Sequence, residues 1–351
     1  MLTILSATVG CRQDPIAVQL PVVQMLSGQT MGTTYSIKLV PTEQMPPLEE
    51  LAERIEQELE SVNRQMSTYR DDSEISNFNA FRSLDWFSVS SQTAQTVATA
   101  IDISAASQGA FDVTVSPLVN LWGFGPQGQA TSVPDQATIN DTLAKCGYQH
   151  LQVRLEPPAL RKDLADIEVD LSAIAKGHGV DRVAELLEDE GVRSYFVEIG
   201  GEVRTKGAKA DGKPWRVGIE RPTVSSRLLH MALELDDQAI ATSGNYRNYY
   251  QLGNGRVAHT IDPRTGQTAY HNLASASVIA DNCALADAVA TTMMVLGEEQ
   301  GLKAADEYAW AVLLLVHDSS AEGGFKMLTS RSFDELDKVV ELFDIEEETS
   351  P

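Results

Sequence analysis

The chain of 351 residues is poor in cysteine and in basic side chains, and both shortages limit what it can do. Its three cysteines, Cys11, Cys146 and Cys283, include no CxxC pair, so a thiolate metal site is not expected. There are 27 Lys and Arg against 50 Asp and Glu, a formal net charge of −23. This charge excludes a nucleic-acid backbone as the main partner, because clustered cations bind such backbones. A small phosphorylated ligand is still compatible with it, since a few local cations or a metal ion suffice.

The N-terminal apolar run, MLTILSATVG, is too short to span a bilayer and has no basic residue before it. It ends at Val9-Gly10-Cys11, which is similar to the processing site of a bacterial lipoprotein, although Thr8 stands where a larger aliphatic residue is usual. We predict that residues 1–28 are a signal-like tether, lipidated at Cys11, and that the domain works at the periplasmic face of the inner membrane. A frayed N-terminus is the alternative.

Internal repeats, low-complexity tracts and clear linkers are absent after Ser27. A hydrophobic share of 43% allows a large core. Strand-like segments alternate with helices and with several hairpins, which favours an α+β fold with mixed sheets and packed helices over a doubly wound parallel sheet. We therefore predict one large domain over residues 29–345 and an acidic tail at 346–351.

Hydrophobic periodicity predicts most of the secondary structure. Helices are expected at 48–66, 91–107, 135–145, from Lys176 to about 190, and from 283 to 296. Strands are expected at 29–39, 194–207, 215–220, 228–246, 275–280 and 309–316. Residues 66–79 are expected to form a polar loop, 109–125 a strand-like run that ends in a loop, and the tail from Ser332 a helix. Gly253 and Asn254 predict a hairpin turn.

The helix that begins at Cys283 is apolar or small at almost every position, yet it contains Asp287. A buried, unpaired carboxylate costs roughly several kcal/mol and tends to take up a proton. Thr291 lies four residues on and shares a helix face with Asp287. A carboxylate and a hydroxyl on one face suit a hard cation such as Mg²⁺. In the alternative, Asp287 bonds to backbone and Thr291 bonds back to its own helix.

The stretch DLSAIAKGHGVDRV, from Asp170, reads as a strand end, a turn and a helix start. Lys176 stands at the predicted helix start, where free N–H groups and the helix dipole favour a phosphate. The lysine precedes Gly177 and Gly179, so this is not a Walker A loop. An ordinary strand–helix junction with an exposed lysine is the alternative.

Three further side chains stand in informative positions. His259 lies in the predicted strand of VAHTIDPRTG, three residues before the turn at Asp262, and histidine is suited to moving a proton near neutral pH. Tyr69 and Phe111 lie in loop-like segments and could stack on a flat ring. A structural histidine and two core aromatics are the alternatives.

Eight segments, in this order, carry a resemblance to a known family: MGTTY, STYRDDSEIS, GAFDVTVSPL, DLSAIAKGHGVDRV, FVEIGGEV, ATSGNY, HTIDPRTG and NCALADAVATT. They run from Met31 to about Leu296, and together they resemble the ApbE family, the FAD:protein FMN transferases. The resemblance implies an ApbE-like, T-fold-like domain. It also implies Mg²⁺-dependent transfer of FMN from FAD to a Thr or Ser hydroxyl of a target protein, with release of AMP.

The resemblance also implies roles for individual residues. His259 and Asp287 would be catalytic, and Asp287, Thr291 and the backbone carbonyl of Ala173 would hold the metal. The residues that would contact FAD are Met31, Tyr69, Ala110, Phe111, Asp112, Asp170, Lys176 and Ile261. His178 departs from the family, which usually has an aromatic or larger group there. A Mg²⁺-dependent FAD pyrophosphatase and a non-enzymatic FAD-binding lipoprotein are the alternatives.

Overall fold

The structure, a computed structural model, describes residues 22–125, 128, 130, 132–222, 229–245, 249–252, 255–321 and 324–342. The predicted lipid-bearing Cys11, the turn residues Gly253 and Asn254, and the acidic tail at 346–351 lie outside these residues. None of the described helices combines the length and the apolar character that crossing a bilayer requires.

Helices and strands alternate along the chain, and their bounds are as follows. The helices are α1 (Leu48–Met66), α2 (Glu74–Ala80), α3 (Ser91–Ala106), α4 (Ser116–Leu121), α5 (Gln136–Leu143), α6 (Ala175–Asp189), α7 (Cys283–Glu307) and α8 (Arg331–Leu336). The strands of the first half are β1 (Gln24–Thr30), β2 (Thr33–Leu39), β3 (Phe87–Ser88), β4 (Leu151–Leu155), β5 (Pro158–Lys162), β6 (Tyr195–Ile199) and β7 (Glu202–Lys206). Those of the second half are β8 (Trp215–Glu220), β9 (Leu229–Leu235), β10 (Gln238–Gly244), β11 (Tyr249–Leu252), β12 (Gly255–Ala258), β13 (Leu273–Ala280), β14 (Ala311–His317), β15 (Phe325–Thr329) and β16 (Val339–Leu342).

An eight-stranded antiparallel sheet, in the order β1-β2-β6-β7-β10-β13-β14-β15, forms the centre of the fold. Two three-stranded sheets, β16-β9-β8 and β3-β5-β4, and the β11–β12 hairpin accompany it. All of the pairings are antiparallel, and helices pack against the sheets. The α+β prediction is therefore confirmed.

The large sheet is covered on both faces. Alternate residues of a strand point to opposite faces, and in β14 Leu314 packs with α7 whereas Leu313 packs with the β16-β9-β8 sheet and α8. Helices α1 and α6 cover the β2–β6 part of the first face through stripes such as Leu51 and Ile55 on α1 and Val183 on α6. The core therefore lies in two layers, and α6 and α7 lie side by side on the same face.

Several predicted elements are confirmed, and others are wrong in part. The predicted strand at 29–39 is a hairpin, because Met31 and Gly32 both have positive φ, 50° and 72°, and turn the chain between β1 and β2. In the sequence, the apolar residues Met31, Tyr35, Ile37 and Leu39 keep one alternating phase across the turn, so periodicity alone did not show it. Strand β1 also begins at Gln24, so the folded part starts before the predicted boundary at residue 29.

The structure also differs from the prediction in short elements and near the C-terminus. The predicted loop at 66–79 contains the start of α2, and the predicted strand-like run at 109–125 contains α4; each helix has fewer than eight residues, too short for a clear helical period. The predicted tail helix ends at Leu336, after which Asp337 adopts a left-handed φ of 48° and β16 follows. The segment before Lys176 is turns and irregular backbone rather than a strand.

Candidate active site

A cavity of about 810 Å³ opens beside the C-terminal half of the large sheet, where α6 and α7 meet the loops that precede α4 and follow β12. Its wall brings together all but one of the predicted site residues: Tyr69, Ala110, Phe111, Asp112, Asp170, Ala173, Lys176, His259, Ile261, Asp287 and Thr291. These residues come from five separate segments of the chain. Their convergence on one cavity is the main structural result.

Met31 is the exception, because it does not line this cavity. Its side chain packs between two core clusters, and its methyl carbon lies 2.7 Å from where a Cβ on Gly179 would be. Met31 therefore packs beside α6 in the described structure. Its predicted contact with FAD stays a prediction.

Three charged side chains form the buried part of the wall. Lys176 Nζ donates to Glu202 Oε1 at 2.6 Å and lies 3.6 Å from Asp287 Oδ1. The other Asp287 oxygen, Oδ2, accepts a hydrogen bond from the backbone N–H of Gly177 at 3.1 Å. Asp287 and Glu202 are only 2% and 3% exposed. Two buried carboxylates therefore share one ammonium group, whose side chain is partly exposed.

This crowding shifts the pKa values of all three groups. Burial raises the pKa of Asp287, and the charge of Lys176 opposes the shift. Burial and the neighbouring Asp287 raise the pKa of Glu202 to about 8, again against the effect of Lys176. Burial alone would lower the pKa of Lys176, but Asp287 and Glu202 outweigh it and raise that pKa above its ordinary value. Two carboxyl groups thus face a single ammonium group, and a bound cation would favour the charged form of both carboxyls.

Close packing between α6 and α7 sets the geometry of these charges. A Cβ on Gly177 would lie 2.6 Å from the carbonyl carbon of Cys283, so only glycine allows this approach. Asp181, one turn along α6, accepts hydrogen bonds from the backbone N–H groups of Cys283 and Ala284 at 2.9 Å each. The Asp181 carboxylate thereby satisfies two of the free donors at the start of α7. The same contacts hold Lys176 next to Asp287.

The oxygens expected to bind a metal are present on this wall. Asp287 and Thr291 are four residues apart on α7 and both line the cavity, as does Ala173 at the end of the loop before α6. Thr291 does not bond back to its own helix; its Oγ1 lies 3.4 Å from Ser243 Oγ, whereas Thr292 makes the back-bond, to Ala288 O at 2.8 Å. Within the described ranges there is no cluster of three His, Cys, Asp or Glu side chains. A cation here would therefore rely on hydroxyl, carbonyl and substrate oxygens as well as on one carboxylate.

The second part of the wall consists of loops. The carboxylate of Asp112 is used to hold its own loop, since Oδ1 accepts from the N–H and the hydroxyl of Thr114 and Oδ2 accepts from the N–H of Tyr148. Asp170 Oδ1 likewise accepts from the N–H and the hydroxyl of Ser172. These two acids shape the loops on either side of the buried Phe111. Their predicted contacts with FAD are not tested by this arrangement.

His259 lies at the end of the hairpin, directly after β12 rather than within a strand. Its ring meets the ring of Phe124 at a centroid distance of 6.3 Å and an angle of 67°, an edge-on contact. The predicted turn after it is confirmed: Asp262 Oδ1 accepts from the N–H of Arg264, and Gly266 has a φ of 70°. His259 is thus held at the cavity wall by an aromatic contact and a fixed turn.

His178 lies outside the cavity lining, although it follows Lys176 closely. Its Nδ1 is 3.3 Å from Thr96 Oγ1 of α3. Burial, with a smaller effect from Arg182, lowers the pKa of His178 to about 4. The departure from the family at this position therefore concerns the packing of α6 on α3.

Sequence reasoning missed several residues of the wall. Glu202, Ser243 and Phe124 line the cavity, and none of them was assigned a role. Glu202 and Ser243 lie in FVEIGGEV and ATSGNY, two segments that carried the resemblance, so their place in the motifs was the available signal. Phe124 follows a tryptophan-glycine pair in a loop, a position with no distinctive pattern.

Comparisons with known proteins agree with this geometry. The family model described as ApbE family matches residues 31–314. A protein of Vibrio cholerae named FAD:protein FMN transferase is 46% identical over 308 residues, which cover 88% of this chain and 91% of that protein. The solved structure of the flavin transferase ApbE from Vibrio cholerae has a TM-score of 0.81 at 44% identity, covering 90% of this chain and 99% of that one. The flavinyl transferase ApbE of Pseudomonas stutzeri, in its apo form, has a TM-score of 0.83 at 39% identity, covering 92% and 98%.

The chain therefore belongs to the ApbE family, and the family membership predicted from the order of its motifs is confirmed.

Proposed function

We propose that this chain transfers FMN from FAD to a Thr or Ser hydroxyl of an acceptor protein and releases AMP. The observation that carries the proposal is the cavity in which Lys176, Asp287 and Thr291 share a wall with His259 and the exposed ring of Tyr69. A volume of about 810 Å³ is in the range of small-molecule sites. The names of the relatives, FAD:protein FMN transferase, support the same reaction.

We propose that Mg²⁺ is held by the carboxylate of Asp287, the hydroxyl of Thr291 and the backbone carbonyl of Ala173. Hard oxygen donors of this kind fit Mg²⁺, which also takes oxygens from substrate phosphates. When bound, the ion would supply neutralisation of the pyrophosphate charge and polarisation of the phosphorus under attack. Two buried carboxyl groups, Asp287 and Glu202, beside one ammonium group support a cation at this position.

The chain's own residues divide the remaining work. Lys176 Nζ, at the start of α6, offers a fixed positive charge to the pyrophosphate. His259 accepts the proton of the acceptor hydroxyl as that oxygen forms a bond to the FMN-side phosphorus. The bond from this phosphorus to the bridging oxygen breaks, and AMP leaves with that oxygen. Tyr69, whose ring is exposed, offers a flat surface for a ring system, whereas Phe111 is buried in the core beside the cavity. Positioning and charge neutralisation thus contribute most of the rate enhancement.

The test is incubation of the purified chain with FAD, MgCl₂ and a flavin-accepting protein domain, followed by intact-mass measurement. The Vibrio cholerae relative serves as a positive control on the same acceptor. A gain of one FMN unit on the acceptor is expected, and EDTA or replacement of the acceptor threonine by valine should abolish it. Free FMN and AMP beside an unmodified acceptor would instead establish a pyrophosphatase. Intact FAD after the control reaction is complete would indicate a storage protein.

We further propose that Cys11 bears a lipid and that the domain acts at the periplasmic face of the inner membrane. The support is the Val9-Gly10-Cys11 pattern. Growth with radiolabelled palmitate should label the wild-type chain and leave a Cys11→Ala variant unlabelled. Equal labelling of the two proteins would refute the lipid anchor and leave the enzymatic proposal untouched.

A further inference from the structure

We propose that Glu202 is a positioning residue that holds Lys176 away from Asp287, so that Asp287 keeps an oxygen available for a cation. The inference rests on the proposed metal-dependent function and adds to it a residue outside the ligand set. Glu202 comes from β7 of the large sheet, whereas Lys176 and Asp287 come from the helices packed on it.

The distances show how Lys176 is shared. Its Nζ lies 2.6 Å from Glu202 Oε1, within hydrogen-bond range, but 3.6 Å from Asp287 Oδ1, beyond it. Asp287 Oδ2 already accepts from the N–H of Gly177. Oδ1 is thus the Asp287 oxygen for which Lys176 and a cation would compete. Glu202 favours the cation in this competition, because its hydrogen bond keeps the ammonium group of Lys176 out of hydrogen-bond range of Oδ1.

The sheet fixes Glu202 for this role. It is the first residue of β7, after the turn at Gly200 and Gly201, whose φ values are 65° and 109°. Glu202 Oε2 is buried and accepts no hydrogen bond from the described residues, and it lies 3.4 Å from where a Cβ on Gly200 would be. Lys176 is therefore the one described side chain that hydrogen-bonds to the Glu202 carboxylate. The buried Glu202 carboxylate is stabilised by the ammonium group of Lys176, and the carboxylate in turn fixes the position of that ammonium group.

Removal of the charge at Glu202 would release Lys176. The ammonium group then has one buried carboxylate left, and a shift of about 1 Å brings it into hydrogen-bond contact with Asp287. A tight Lys176–Asp287 pair would occupy the oxygen that the metal needs. Metal affinity should therefore fall, although Glu202 is not itself a ligand.

The experiment is a double-mutant cycle with Mn²⁺ alone as the probe, followed by electron paramagnetic resonance of the purified, FAD-free full chain. Glu202→Gln should weaken Mn²⁺ binding about tenfold, the usual effect of losing a partner of a ligand. Lys176→Met removes the competitor and should not weaken binding. In the Lys176→Met background, Glu202→Gln should change the affinity by less than about threefold, because Glu202 acts through Lys176.

An equal loss in both backgrounds would overturn the inference, since it would mean that Glu202 attracts the ion directly. Glu198→Gln is the matched control: it removes the same charge from the same hairpin, where Glu198 accepts from the N–H of Gly201. It should leave Mn²⁺ affinity within about twofold. Thermal unfolding without metal checks that every variant folds.

Asp287→Asn separates this inference from the proposed function. Failure of the wild-type chain to bind Mn²⁺, or equal binding by wild type and Asp287→Asn, would overturn both the metal site and the inference. Binding that Asp287→Asn abolishes and Glu202→Gln leaves unchanged would overturn the Glu202 role alone.

Discussion

The two parts of the cavity wall are built in opposite ways. The helical part, from α6, α7 and β7, is buried and charged: Asp287 is 2% exposed and shares Lys176 with Glu202. The loop part is aromatic and open: Tyr69 is 70% exposed, and Phe124 packs against His259 at the end of a hairpin. Fixed charges in one part and accessible rings in the other divide the cavity into two environments.

This contrast fits a reaction with one small and one large substrate. A pyrophosphate and its cation need charges held at fixed distances, which packed helices and a sheet provide. An acceptor protein needs an open approach, which loops provide. Damage to the helical part should therefore impair metal binding and stability, whereas damage to the loop part should impair proton transfer and ring binding.

The largest effect is expected from Asp287→Asn. Loss of the carboxylate removes the principal metal oxygen, so the transfer rate should fall at least about 10³-fold, about 4 kcal/mol of transition-state stabilisation. Transfer to an acceptor, measured by mass, checks this. Asp306→Asn, at the exposed end of the helical segment that follows the break at Gly297, is the control and should keep full activity. Full activity in Asp287→Asn would refute the metal assignment.

His259→Gln should lower the transfer rate about 10²- to 10³-fold, the contribution of a positioned general base. FAD affinity, followed by flavin fluorescence, should change less than about threefold, because the proposed role is proton transfer. His150→Gln, at an exposed histidine paired with Asp163, is the control. Loss of FAD binding in His259→Gln would assign the histidine a structural role instead.

Gly177→Ala should destabilise the buried part of the wall by about 2–3 kcal/mol, since the new methyl group meets the backbone of Cys283 and pushes α6 from α7. Gly179→Ala is a matched comparison on the same helix. There the new methyl group meets the flexible end of Met31, so the cost should be smaller. Free energies of unfolding in urea measure both, and equal costs would contradict the helix-contact argument.

The free energy of unfolding should also depend on pH through His178, which lies on α6 behind the cavity wall. Its pKa falls from 6.5 to about 4 on folding, so the neutral ring stabilises the fold above pH 6.5 and this stability is lost as the pH falls toward 4. Between pH 7 and pH 5 the wild-type chain should lose about 2 kcal/mol more unfolding free energy than His178→Gln. Parallel losses in the two proteins would show that His178 titrates normally.

The buried part was the easier one to predict from sequence. A carboxylate within an apolar helix breaks the pattern, so Asp287 was conspicuous, and Thr291 followed from helical spacing. Helix α1 was predicted with its observed bounds because Pro47 precedes a clean hydrophobic stripe. The α6 helix was found for similar reasons, although the segment before it was mistaken for a strand.

Glu202 could not be found in that way. In EVRTK it looks like a polar residue of an edge or half-exposed strand, and nothing local shows that its side chain is buried. Only the pairing of β7 with β6 and β10, and the packing of α6 on that sheet, bring it to Lys176, 26 residues earlier. Long-range pairing is not encoded in local periodicity. The turn at Met31 was missed for a different reason. The apolar residues of the sequence alternate without a break across it, so the local pattern predicted one continuous strand.

The smallest effect is expected in the loop part, from Tyr69→Ala. An exposed ring that stacks on a ligand contributes about 1 kcal/mol, so FAD affinity should fall about fivefold while metal binding stays unchanged. Tyr270→Ala, at a fully exposed tyrosine outside the cavity lining, controls for the loss of a surface ring and should have no effect on either. Titration of FAD fluorescence and of Mn²⁺ on both variants separates the two parts of the wall. A loss of Mn²⁺ affinity in Tyr69→Ala would mean that the open and the buried part are coupled, and the division between them would have to be abandoned.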